Sequence, residues 1–114
     1  MAKINKALSL RQPFAEQIIR GKKKNEYRSK VTHFRGRLYI YAALGRFPPE
    51  DWKGTGIEPY TLPTGVLIGT VEIVDCKPDP DGGYIWKLAN PKRLRTPLVP
   101  DRHPQPMFFQ PFDD

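Results

Sequence analysis

Residues 7–37, ALSLRQPFAEQIIRGKKKNEYRSKVTHFRGR, place a strand, a short helix, a lysine run and a second strand in one continuous unit. Ala7, Leu8 and Leu10 are apolar positions bounded by polar ones, which predicts a first strand from Ile4 to Leu10. Pro13 opens a helix at the position where its missing N–H costs nothing, and Phe14, Ala15, Ile18 and Ile19 then fall on one apolar stripe. Glu16 and Arg20, four apart, pair on the opposite side. Gly21 suits the left-handed position just past a helix end, and Lys22, Lys23 and Lys24 complement the negative end of the helix dipole. From Lys24 to Lys30 the side chains alternate. A strand there puts Asn25, Tyr27 and Ser29 on one face and Lys24, Glu26, Arg28 and Lys30 on the other.

Beyond this unit, a turn near 32–36 leads into Arg37 to Ala43, a half-buried strand rich in aromatic and branched residues. Residues 45–63 read as an irregular connection with one helical turn after Pro48 and Pro49. The stretch from Gly65 to Asp75 is nearly continuous in apolar residues and predicts a central strand, with Gly69 marking a bulge or a bend. Tyr84 to Ala89 is a further strand that Asn90-Pro91 stops, and Met107-Phe108-Phe109 makes the last. The chain has 114 residues, 39% of them hydrophobic, with 13 prolines and 9 glycines. That size and punctuation predict a single domain over residues 1–114: an α+β fold of five or six strands with one early helix, in a small, partly open β-barrel.

The formal charge of +7 is unevenly placed: residues 1–46 carry twelve basic and two acidic side chains, and the remainder is net acidic. A one-sided distribution of this kind is the footprint of a phosphate-bearing partner, although it also serves solubility or anionic lipid. No apolar run approaches the roughly 20 residues that span a bilayer, and Asn5 and Lys6 interrupt any signal-peptide core. A soluble, cytoplasmic, monomeric protein without a membrane partner is the expectation. Cys76 ends an apolar strand as a small hydrophobe, and His33 and His103 stand apart from any Cys/His cluster, so neither metal nor cofactor is expected.

Glu26 and Arg28, two apart on one strand face, pair beside Lys23; the plainer reading of the same residues is a solvated face. A Lys–Glu pair also suits general acid–base work. Arg11, Arg35 and Arg37 carry guanidinium forks that grip a phosphate or a base edge, or that pair with acidic groups of the second half. Tyr39, Tyr41, Trp52 and Trp86 are candidates for stacking on unpaired bases, worth ~1–3 kcal/mol per base, though aromatics at strand spacing are more often core. Gly21-Lys22 is no P-loop, because Glu16 stands where the first glycine belongs and no Ser or Thr follows the lysine. The nucleophile-elbow, zincin and CxxC motifs are absent from the sequence.

Gly21, Lys23, Glu26 and Arg28 meet the pattern G-x-K-x-x-E-x-R, preceded by Leu8-Ser9-Leu10-Arg11-Gln12-Pro13-Phe14-Ala15. In these residues, in Arg35-Gly36-Arg37-Leu38, in Leu62 to Cys76 and in Asn90-Pro91, the chain resembles the activating-signal-cointegrator homology (ASCH) family of the PUA-like superfold. The resemblance implies a pseudo-barrel with a cleft between the first helix and the sheet. It also implies RNA as partner, with DNA as a further one, and puts Lys23, Glu26 and Arg28 along that cleft with Arg11 and Gln12 at its rim; together with Arg35 and Arg37, taken from their guanidinium chemistry, these make the expected nucleic-acid-binding set. A few small members resemble hydrolases of modified nucleosides or ribonucleases, a role in which Lys23 and Glu26 would be the catalytic pair. The amidohydrolase-like subgroup has a threonine where this chain has Glu26, so that nucleophile is missing. A basic face for an acidic protein partner is the remaining alternative.

Overall fold

The computed structural model describes residues 3–58, 60–102, 104 and 108–113. Six strands form one mixed sheet: β1 (Ala7–Gln12), β2 (Asn25–Arg28), β3 (Gly36–Arg46), β4 (Val66–Pro78), β5 (Tyr84–Leu98) and β6 (Phe108–Phe109), in the order β2-β5-β4-β3-β1-β6. Of the last predicted strand, Met107 lies outside the described residues, as does His103. β4 lies between β3 and β5, as a near-continuous apolar run requires. β1 and β3 run parallel, while every other neighbouring pair is antiparallel. A parallel pair needs a crossover, and here it is made by the helix α1 (Phe14–Ile19) together with β2. The helical turn after Pro48 is a 3-10 turn over Pro49–Trp52.

Strand alternation divides the core in two. Leu8 and Leu10 of β1 and Leu38, Ile40 and Ala42 of β3 face α1, whose Ala15, Ile18 and Ile19 cover them. Ala7 and Tyr41 point to the other face and meet Leu67 and Phe109. In β4, Ile68 and Val71 belong to the same core although they stand three positions apart, which an unbroken period of two forbids. A bulge resolves this: Ile40 pairs with Gly69 and the next residue, Tyr41, with Leu67. Gly69 sits at that bulge because the helix comes down upon it. A Cβ there would lie 2.5 Å from the carbonyl oxygen of Lys92 and 2.6 Å from Cδ1 of Ile19.

One expected boundary is corrected. Asn90-Pro91 does not stop β5, which runs on to Leu98. Between the pairs Glu72↔Ala89 and Thr70↔Lys92, two steps on β4 oppose three on β5. Asn90 takes up the extra residue in the left-handed region at φ 53, and Pro91, which has no N–H to donate, stands where the ladder is interrupted.

The hydrogen-bonded sheet stays open, with β2 and β6 as its edges. Side chains close the seam between them. Trp86 of β5 stacks on Phe108 of β6 with ring centroids 5.3 Å apart, and Arg28 of β2 donates from Nη2 to the Ser9 carbonyl of β1 at 3.2 Å. Side chains from strands near opposite ends of the order therefore meet, which requires strong curling of the sheet.

The Gly69 contacts set a test. Gly69→Ala is expected to lower unfolding free energy by about 1–3 kcal/mol, because either the helix or the bulge must shift. Urea unfolding checks this: a variant as stable as the parent would mean that α1 is not seated on β4.

Candidate functional site

Tyr27 is 57% exposed, whereas Glu26 beside it is only 8% exposed. The charged face of β2 is thus the inner one, contrary to the solvated reading. Its carboxylate is compensated on both sides. Glu26 Oε1 lies 3.2 Å from Lys23 Nζ, and Oε2 accepts a hydrogen bond from Arg28 Nε at 2.7 Å. Lys23 also donates to the carbonyl of Asn25. Arg28 spans the seam to Ser9 and stacks over Trp86, with Cζ 5.7 Å from the ring centroid. The turn that delivers Lys23 depends on Gly21, which adopts φ 76 after the last helical residues. The N–H groups of Lys22 and Lys23 then both reach back to the carbonyl of Gln17, ending the helix in one step.

The other predicted residues separate. Gln12 is fully buried: its Oε1 accepts from the Glu16 N–H at 2.9 Å and its Nε2 donates to Pro63 O at 3.1 Å, so it caps the helix from inside. Arg37 is held on the sheet surface by Thr70 Oγ1 at 2.8 Å and Glu72 Oε1 at 3.0 Å. Arg35 is exposed and folds back on the carbonyls of Thr32 and Phe34. Arg11 is exposed and lies 5.6 Å over the ring of Phe47. Lys23, Glu26 and Arg28 thus form one cluster, and Arg35 and Arg37 are not part of it. Of the four candidate stacking aromatics, Tyr41, Trp52 and Trp86 are buried and Tyr39 packs against the edge of Phe112.

A cleft of about 320 Å³ opens between the end of α1 and the sheet. Ile18, Val71, Leu88, Ala89 and Pro91 supply apolar walls, and Lys23, Lys24 and Asn90 bring the polar groups. The Asn90-Pro91 bulge therefore shapes one wall. Lys23 is the member of the charged cluster that reaches this cleft.

On α1, Glu16 is 3% exposed and receives two arginines. Arg93 binds it bidentately, at 3.1 Å to Oε1 and 2.5 Å to Oε2, and Arg20 Nε donates to Oε2 at 2.6 Å. Burial alone pushes the Glu16 carboxyl up, but the hydrogen bonds and charge of Arg93 and Arg20 outweigh it and hold the group below its ordinary value of 4.5. Among the described residues no cluster of His, Cys, Asp and Glu has the makings of a metal site, and no helix is long and apolar enough to cross a membrane.

The family profile described as the ASCH domain matches residues 8–89. The chain belongs to the ASCH domain family. Among curated relatives, Activating signal cointegrator 1 of Mus musculus is 38% identical over 111 residues, covering 76% of this chain and 19% of that protein. The protein of the same name from Homo sapiens is 36% identical over 80 residues, covering 60% of this chain and 14% of that protein. This ASCH domain thus spans less than a fifth of the length of either relative.

Arg93 and Phe47 carry no signal in the sequence that singles them out, and Asn90 and Phe14 stand there only as a strand stop and as part of an apolar stripe. Treating Asn90-Pro91 as a stop hid the alternation of Lys92-Arg93-Leu94-Arg95, which would have extended β5 and put Arg93 on the sheet.

Two outcomes test the cluster. Arg28→Ala is expected to cost the ASCH domain about 1–3 kcal/mol by leaving Glu26 under-compensated and the seam open, whereas Arg11→Ala stays within about 0.5 kcal/mol in chemical denaturation. The Glu16 carboxylate, whose folded pKa is depressed, contributes stability that is complete above 4.5 and is lost as pH falls through the lower folded value. Glu16→Gln should therefore be less stable at neutral pH and show a flatter loss of stability toward acid, read from melting temperature against pH.

Proposed function

We propose that this ASCH domain is a nucleic-acid-binding module, for RNA in the first place and DNA in the second, that receives a nucleobase in the cleft between α1 and the sheet. The observation that carries the reading is the cleft itself. Apolar walls suit the faces of a planar base, the Asn90 amide offers a donor and an acceptor to a base edge, and Lys23 and Lys24 stand where a phosphate would pass. Its volume of about 320 Å³ lies at the small end of ligand clefts, ~300–1,000 Å³, enough for one base. The excess positive charge of residues 1–46 supplies the long-range attraction. The names of the relatives, signal cointegrators, accord with a nucleic-acid-linked setting.

Binding is favoured over hydrolysis by the state of Glu26. Both its oxygens face cations, Oε1 toward Lys23 and Oε2 toward Arg28, and it does not line the cleft. A base for hydrolysis needs an oxygen within reach of a substrate proton. Here Glu26 orients Lys23 and Arg28 instead.

Fluorescence anisotropy with labelled RNA and DNA oligonucleotides tests the proposal. Affinity should fall linearly in log–log form as salt rises from about 50 mM to 200 mM. Replacing Lys22, Lys23 and Lys24 together by Ala should flatten that slope by about 2 for a single strand. Absence of binding at low salt, or binding indifferent to salt, would sink the reading. So would nucleoside or RNA turnover that vanishes in Glu26→Gln while the fold persists.

A further inference from the structure

Cations lie over aromatic rings of β2, of the start of α1 and of the segment after β3. Lys23 Nζ lies 5.3 Å from the ring centroid of Tyr27 and 5.7 Å from that of Phe14. Phe14 packs on Phe47 with centroids 4.8 Å apart, and Arg11 caps Phe47 at 5.6 Å. Tyr27, on the outer face of an edge strand, is 57% exposed, while Phe14 and Phe47 are half-buried. A little further along β3, Arg46 lies 5.4 Å from the ring of exposed Tyr60, and its buried Nε has no hydrogen-bond partner among the described residues. Tyr27, Lys23, Phe14, Phe47 and Arg11 thus adjoin one another in one strip of rings and cations, which shares Lys23 with the cleft.

An edge-strand tyrosine left in solvent adds nothing to the core, and with a cation over one part of its ring Tyr27 offers what a nucleotide needs: an exposed π-surface to stack on and a charge for the phosphate that follows. We infer that the strip from Tyr27 across Lys23, Phe14 and Phe47 to Arg11 is a track for an unpaired polynucleotide strand, whose bases stack on the rings while its phosphates meet Lys23 and Arg11. This rests on the nucleic-acid reading above and narrows it: a duplex keeps its base faces stacked on one another and cannot use the rings, so the track selects single strands. The donors of Lys23 are not exhausted by the carbonyl of Asn25 and the carboxylate of Glu26, because an ammonium has three. The lysine is held in place and still has one to give.

The test uses the full chain, a labelled uridine-rich oligonucleotide, and a duplex of the same length. The parent should bind the single strand several-fold more tightly than the duplex at equal salt. Tyr27→Ala should weaken single-strand binding at least about fivefold and leave duplex binding and the salt slope unchanged, and Tyr27→Trp should restore it. Tyr27 is exposed, so its variants are expected to keep the parent melting temperature; Phe47→Leu provides a second variant with the same expected loss. Equal affinity for strand and duplex, or aromatic variants without effect, overturns the track while leaving nucleic-acid binding intact. Failure of both probes to bind overturns the parent reading with it. Binding to anionic lipid vesicles but not to the oligonucleotide likewise overturns the inference in favour of a membrane surface.

Discussion

A carboxylate on the inner face of a strand must be compensated, and the compensation of Glu26 governs how this sheet closes. Lys23 reaches it from the turn after the helix and Arg28 from two residues further along the same strand. Each cation then serves a second purpose. Arg28, fixed by Glu26, extends to the Ser9 carbonyl and covers Trp86, so the open edge of the sheet is drawn toward β1 without any backbone ladder. Taking ions out of water is expensive, and the arrangement holds because neither cation is fully enclosed and the guanidinium finds a carbonyl and a ring as well as the carboxylate.

The helix is seated by a different device. Six residues are too few for a helix to hold itself together, so α1 depends on what lies beneath and at its ends. Gln12 caps it from within, Gly21 ends it, Gly69 lets Ile19 approach the sheet, and Glu16 binds it to β5 through Arg93. Each contact comes from a separate strand or turn. The gap left between the helix end and β4–β5 is the cleft, which exists because the bulge at Asn90-Pro91 turns the β5 backbone beside Gly21 instead of letting a regular ladder fill the space.

Much of this was legible in the residues. The strand–helix–turn unit, the left-handed Gly21, the 3-10 turn after Pro48, the central β4 and its irregularity at Gly69 all follow from local rules, and the ASCH resemblance matched the family that comparison shows. What alternation could not tell was which face of β2 turns inward. Charge normally faces water, and only partners distant in sequence, Ser9 and Trp86, make the inverse arrangement tolerable. Asn90-Pro91 misled for a related reason. As an isolated dipeptide it ends a strand, but opposite β4 the missing N–H of proline falls where no ladder bond is made. The buried Trp52 and Trp86 follow from the same limit, since spacing assigns an aromatic to a face without saying what covers it.

The division of labour among the charges has a consequence for how such a site is recognised. Gln12, Glu26 and Arg28 stand out in the sequence, yet their polar atoms are spent on the fold: a helix cap, a bridge and a seam. Lys23 is the point of contact between that scaffold and the surface, since it is pinned by Glu26 on one side and faces Phe14, Tyr27 and the cleft on the other. A side chain fixed in this way loses little rotamer freedom when a ligand arrives, so a hydrogen bond to it costs less entropy than one to a lysine free in solvent such as Lys22. On the proposed reading, the buried carboxylate contributes to recognition without touching the ligand. It has already ordered the one ammonium group that both the cleft and the aromatic strip share.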